Sequence, residues 1–176
     1  VNRQGYMSAI NGTAYGSSGE DGFVRGNEFI HPKLKIRFAV PSGFKIKNTP
    51  KAVIASNDAG ALMLFDIARG NSNDAAEFIA VNWAANTALQ GQERLNINGL
   101  AGATAEAQMN SSQGAKDARL VALNAGNGRF YRLLFLAPMG RMNDYALQFR
   151  KATYSFERDD SIAGISPARI KIVTVR

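Results

Sequence analysis

Histidine occurs once in this sequence, at position 31, and cysteine does not occur at all. Those two facts remove most side-chain chemistry. A zinc-hydrolase helix needs two histidines one turn apart with a glutamate as base, and a lone His31 cannot supply that. Without cysteine there is no thiol nucleophile, disulfide or cysteine-held metal. No serine stands in a Gly-x-Ser-x-Gly elbow, so a Ser–His–Asp system lacks its usual setting. The acids Asp66, Glu77, Glu93, Glu106, Asp117, Asp144 and Glu157 are scattered, and Asp159-Asp160 sits beside Arg158. The glycines of residues 12–22 lack the Lys-Ser/Thr ending and the strand–turn–helix setting of a phosphate cradle. His31 precedes Pro32 and reads as a loop residue in extended backbone.

Binding chemistry is better represented. The formal net charge is +7, and between Phe29 and Ser56 there are six Lys or Arg and no acid. Lys33, Lys35 and Arg37 alternate with Leu34, Ile36, Phe38 and Val40, and Lys45 and Lys47 follow. Alternation of this kind predicts a strand with an apolar core face and a basic outer face. Alternate residues would lie about 6.5–7 Å apart, a spacing that suits repeated anionic groups. Sheets that bind single-stranded nucleic acid add exposed aromatics for stacking. Phe38 and Phe44 point inward here, which argues against nucleic acid and leaves a solvated face, an acidic protein segment or a lipid surface.

The elements that must position these residues follow from the pattern. At 176 residues and 45% hydrophobic composition, one domain with extensions is expected. Residues 1–22 are rich in Gly, Ser and Asn and read as a linker or arm, in which Tyr6 and Tyr15 could pack on a neighbouring domain. Residues 23–158 read as the domain body, and residues 159–176 as a linker with a last strand or extension at Ile170–Val175. Two runs flanking Asn57-Asp58-Ala59-Gly60 predict a hairpin. Asp74 and Glu77 open a helix whose stripe is Ala75, Phe78, Ile79, Asn82, Ala85 and Leu89, with Gly91 as its stop. Trp83 on that helix fits the core better than a ligand groove. Leu95–Ile97 and Gly102–Met109 are further strands, and Asn110–Asp117 a polar loop. Ala118–Leu123 and Arg129–Leu136 form a hairpin, and the continuous Leu133–Leu136 run places that strand centrally. Met142, Tyr145, Ala146, Phe149, Ala152 and Phe156 define a second helix lying on the sheet. The fold class expected is α+β, an antiparallel sheet covered by helices.

Several short motifs also resemble a known family in their order along the chain. Asn11-Gly12, Tyr15-Gly16, Gly22, Arg25-Gly26, Phe29, His31-Pro32, Leu34, Pro41 and Gly43-Phe44 come first. Val81-Asn82-Trp83, Asn98-Gly99, Tyr131-Arg132-Leu133 and Val173-Thr174-Val175-Arg176 continue the series. Together they resemble the region after the catalytic domain in HtpX-like zinc metallopeptidases of alphaproteobacteria (metallopeptidase family forty-eight). The body is also similar to the PsbP-like α/β/α sandwich, a fold associated with binding.

The resemblance implies a non-catalytic C-terminal accessory domain of an envelope zinc metalloendopeptidase, residing in the periplasm and positioning a substrate or partner protein. Zinc and proteolysis would belong to the parent protein's own N-terminal catalytic domain, and no cofactor to this chain. No catalytic or metal-binding residue carries over, because the HExxH helix and the acidic zinc ligand have no counterpart. The start at Val1, without Met or a signal pattern, leads us to expect a piece of a longer protein. The alternative is a stand-alone binding module that uses Lys33, Lys35, Arg37, Lys45 and Lys47 on an anionic partner. A hydrolase built around His31 is the third reading.

Overall fold

Strand-forming sequence dominates the chain, and the computed structural model, in which residues 21–165 are described, is built mainly of antiparallel sheet. The larger sheet has seven strands in the order β4-β5-β6-β10-β9-β8-β7. In chain order these are β4 (Lys45–Asn48), β5 (Val53–Ser56), β6 (Leu62–Arg69), β7 (Gln90–Ile97), β8 (Leu100–Ser111), β9 (Gly114–Gly126) and β10 (Arg129–Pro138). The last four form a meander. Asn98-Gly99 and Asn127-Gly128 are two of its three two-residue turns, with φ of 50° and 87° at the first pair and 54° and 68° at the second. Positive φ at both central residues is what such hairpin turns need, and Asn-Gly tolerates it best.

Strand β10 is the middle strand, as the Leu133–Leu136 run predicted, and it separates two cores. Tyr131, Leu133, Phe135 and Ala137 point into one core, while Phe130, Leu134 and Leu136 point into the other. The first core is covered by helix α2 (Met142–Ser155) and by a small sheet of β1 (Phe23–Arg25), β2 (Glu28–His31), β3 (Ile36–Ala39) and β11 (Glu157–Arg158). Phe38 and Phe156, their rings 5.7 Å apart, bring the small sheet and the end of α2 together over Phe65 and Tyr131. Phe149 is fully buried, and Ala152 nearly so, along the stripe the sequence predicted.

The second core lies under helix α1 (Ala75–Glu77), which runs on as a π turn (Phe78–Trp83). Asp74 caps it as expected, accepting from the backbone N–H groups of Ala76 and Glu77 at 2.8 and 3.1 Å. Phe78 stacks on Phe130 at 4.3 Å between ring centres.

Several expectations are corrected. The layering is more β-rich than an α/β/α sandwich, because a second sheet shares one face with α2 and only one short helical segment covers the other. The first helix ends at Trp83. Its π turn, closed by Ala84 N–H to the Ile79 carbonyl at 2.8 Å, shifts the phase of the stripe. Asn82 and Ala85 are therefore exposed, and Ala84 is buried. Gly91 is not a helix stop. It lies in β7 at φ 55°, inside the bulge between Gln90 and Glu93. The supposed loop at 110–117 is a tight turn at Ser112-Gln113 between two long strands.

Residues 159–165, expected as linker, include a 3₁₀ turn (Asp160–Gly164) that buries Ile162 against Phe23 and Ile30. The arm glycines before Gly22, together with Tyr6, Tyr15 and the Ile170–Val175 segment, lie outside the described residues.

Candidate binding surface

His31 ends β2, and its half-buried ring stands edge-on to Phe29 at 6.1 Å. Its Nδ1 accepts the Leu34 N–H at 3.3 Å. Burial lowers the imidazole pKa below its ordinary 6.5, Asp21 partly opposes this, and Lys33 adds to the lowering. The ring thus holds a turn, and among the described residues no hydroxyl is hydrogen-bonded to it. Among the described residues no group of three or more His, Asp or Glu could hold a metal ion.

The acids are engaged elsewhere. A cleft of about 330 Å³ beside β8 and β9 is lined in part by Glu106, Asp117 and Met142. Glu106 is bonded to Arg119, and Asp117 accepts the Gly140 N–H at 2.8 Å, so the cleft presents no free carboxylate pair. Asp66 accepts from Arg132 through both oxygens, one at 2.7 Å. The Arg132 guanidinium lies 5.1 Å from the centre of the Trp83 ring, which also meets Phe78 at 6.2 Å. Trp83 is a half-buried wall of the second core, in line with the core reading of its sequence position.

The five basic residues proposed from sequence do not form one row. Lys33 and Lys35 lie in a turn that closes with Lys35 N–H on the Pro32 carbonyl at 3.2 Å, and Lys35 adopts φ 56°. Only Arg37 of the first three is on a strand. There it bonds Glu157, with Glu28 and Asp159 each 3.7 Å away, and the Glu157 hydrogen bond is the main reason its pKa is raised. Lys35 pairs with Asp160 at 2.9 Å and Lys45 with Asp58 at 3.4 Å. Lys47 lies on β4 and also has an interaction partner. Lys33 is exposed in the turn. Sequence alternation missed this because a turn of one apolar and two basic residues copies the first period of an amphipathic strand.

A basic surface that sequence reasoning passed over lies on α2. Opposite its buried stripe stand Leu147, 62% exposed, and Tyr154, 54% exposed. They are two turns apart, about 10.5 Å along the axis. Arg150 and Lys151 flank this line from either side, both exposed and neither with an acidic partner among the described residues. From Tyr145 to Phe156 the sequence contains no acid. That acid-free run carrying a second, outward apolar pair was the available signal. No described helix is long and apolar enough to cross a membrane.

No family model matches this chain, and no curated protein matches it either. The metallopeptidase resemblance therefore has no counterpart in these comparisons. Solved structures do share the fold. A protein of Bacteroides thetaiotaomicron superposes with a TM-score of 0.55 at 13% identity over 77% of this chain, which spans about half (49%) of that protein. Cyanobacterial PsbP (CyanoP) of Synechocystis superposes with a TM-score of 0.54 at 15% identity, covering 82% of this chain and 98% of its own. At such identities the likeness speaks for architecture alone: a small β-rich domain with PsbP-like neighbours.

Proposed function

We propose that this chain is a non-catalytic binding domain for an anionic partner protein. One observation carries the reading. Nearly every described carboxylate is tied to a basic side chain, a hydroxyl or a main-chain N–H, whereas Lys33, Arg150, Lys151 and Arg158 have no acidic partner among the described residues. The excess positive charge of the sequence is thus presented outward. The sequence resemblance extends this to an accessory domain that positions substrate or partner for an envelope zinc metalloendopeptidase in the periplasm. In that setting the zinc is held by the parent protein and the domain packs beside its catalytic unit.

Two experiments test the proposal. The reading frame upstream of Val1 is sequenced: an in-frame HExxH helix supports the protease setting, and a start codon close to Val1 overturns it. Binding of poly-L-glutamate is then titrated between 50 and about 300 mM salt. A steep loss of affinity supports anionic recognition, because exposed charges are screened over about 8–10 Å near physiological ionic strength. Undetectable binding at low salt overturns it.

A further inference from the structure

We infer that the outward face of α2 is the docking surface, and that its partner is a protein segment in which apolar side chains are flanked by carboxylates. The inference rests on the binding reading above and assigns it a place. Four observations carry it. Leu147 and Tyr154 are among the most exposed large hydrophobic side chains of the described chain, and they belong to one helix at a spacing of seven residues. On a helix turning about 100° per residue, positions 147 and 154 differ by only 20° and lie roughly opposite Phe149. Arg150 and Lys151 fall on the two flanks of that line and have no acidic partner among the described residues. The neighbouring acids are engaged: Asp144 bonds Arg141 and Glu157 bonds Arg37, so among the described residues no acid pairs with either cation.

The chemistry selects a protein over a membrane. An apolar pair between two cations complements a partner with a central apolar contact and an acidic rim, the usual arrangement of an interface. Tyr and Arg are enriched among residues that dominate such contacts. Anionic lipid recognition draws on clusters of about four to eight Lys or Arg. This face offers Arg150 and Lys151, with Arg158 beyond the helix end. The helix is also fixed by Phe149, Ala152 and Thr153 in the core, so only Leu147 and Tyr154 are free to enter a bilayer. The surface is preformed, and docking needs no rearrangement of the backbone.

The test uses the whole 176-residue chain and a synthetic helical peptide with a leucine stripe flanked by glutamates. Binding is read by fluorescence anisotropy. The expected result is salt-sensitive binding that falls at least about tenfold in Arg150→Glu/Lys151→Glu and again in Leu147→Ala/Tyr154→Ala. All four side chains are exposed, and unchanged circular-dichroism melts verify that these variants fold. A peptide with lysines in place of the glutamates should not bind. Lys51→Glu/Arg129→Glu, at two exposed residues away from α2, is the control and should leave affinity within about twofold. Binding lost in that control and kept in both α2 variants overturns the docking site while sparing the binding reading. Binding only to vesicles containing about 30% phosphatidylserine overturns the choice of a protein partner. No binding of either probe overturns both the site and the broader reading.

Discussion

Replacing Asn98 tests how the Tyr154 end of α2 is held. Asn98 sits at the first position of the β7–β8 turn, and its Nδ2 donates to the Tyr154 carbonyl at 3.0 Å and the Phe156 carbonyl at 2.8 Å. These are carbonyls that a helix end leaves without an internal partner. Each bond contributes about 1 kcal/mol, and the more exposed one to Tyr154 less, because water replaces it. Asn98→Gly removes both bonds while keeping a residue at ease at φ 50°, so a loss of about 1–1.5 kcal/mol is expected. Asn98→Ala adds the left-handed backbone penalty of about 1 kcal/mol, for a total near 2–2.5 kcal/mol.

At roughly 2–4 °C per kcal/mol for a chain this size, Tm should fall about 2–6 °C for glycine and about 4–10 °C for alanine. Urea titration at constant m-value gives the same ranking. A glycine variant as stable as the parent would refute the hydrogen-bond account. Alanine and glycine variants of equal stability would refute the backbone account.

Phe156 is fully buried among Phe38, Phe65 and Tyr131, so Phe156→Ala should cost about 3–5 kcal/mol and lower the urea midpoint accordingly. A Cβ on Gly102 would stand 2.6 Å from the Ala122 carbonyl oxygen and 2.6 Å from Leu123 Cδ2. Gly102→Ala should therefore destabilise by about 1–3 kcal/mol through forced separation of β8 and β9, seen as faster amide exchange in both strands. His31 titrates below 6.5 in the folded chain, chiefly because burial disfavours its charged form. Its stabilising contribution is complete above 6.5 and is lost as pH falls through the lower folded value. Stability should drop across that acid window, and the slope should flatten in His31→Gln; an NMR-determined His31 pKa above 6.5 would contradict this.

Much of the architecture was legible because apolar periodicity survives wherever an element packs along its length. The α2 stripe from Met142 to Phe156 and the central Leu133–Leu136 strand are examples. Readings failed where local hydrogen bonds break the period. The Lys33–Lys35 turn is held by the His31 ring and the Pro32 carbonyl, neither of which alternation registers. The π turn inserts an extra residue that helical spacing cannot register. The small sheet was missed because β1 and β2 are short and are joined by residues 26 and 27, too little chain to show a pattern. The α2 binding face was hidden by its own core stripe, since one strong amphipathic signal invites the opposite side to be read as mere solvent surface.

The pairing of β6 with β10 has a kinetic meaning. All other neighbours in the large sheet are successive in the chain, whereas Arg69 meets Arg129 and Leu62 meets Leu136 across the whole intervening meander. Hairpins close in microseconds, but this seam must await a long loop closure. Until then β10 is an unpaired apolar edge, and the β4–β6 ribbon of a second copy satisfies it with the same hydrogen bonds. Refolding at high concentration thus opens a route to strand-exchanged dimers, with the connection from Gly70 to Leu89 as the hinge.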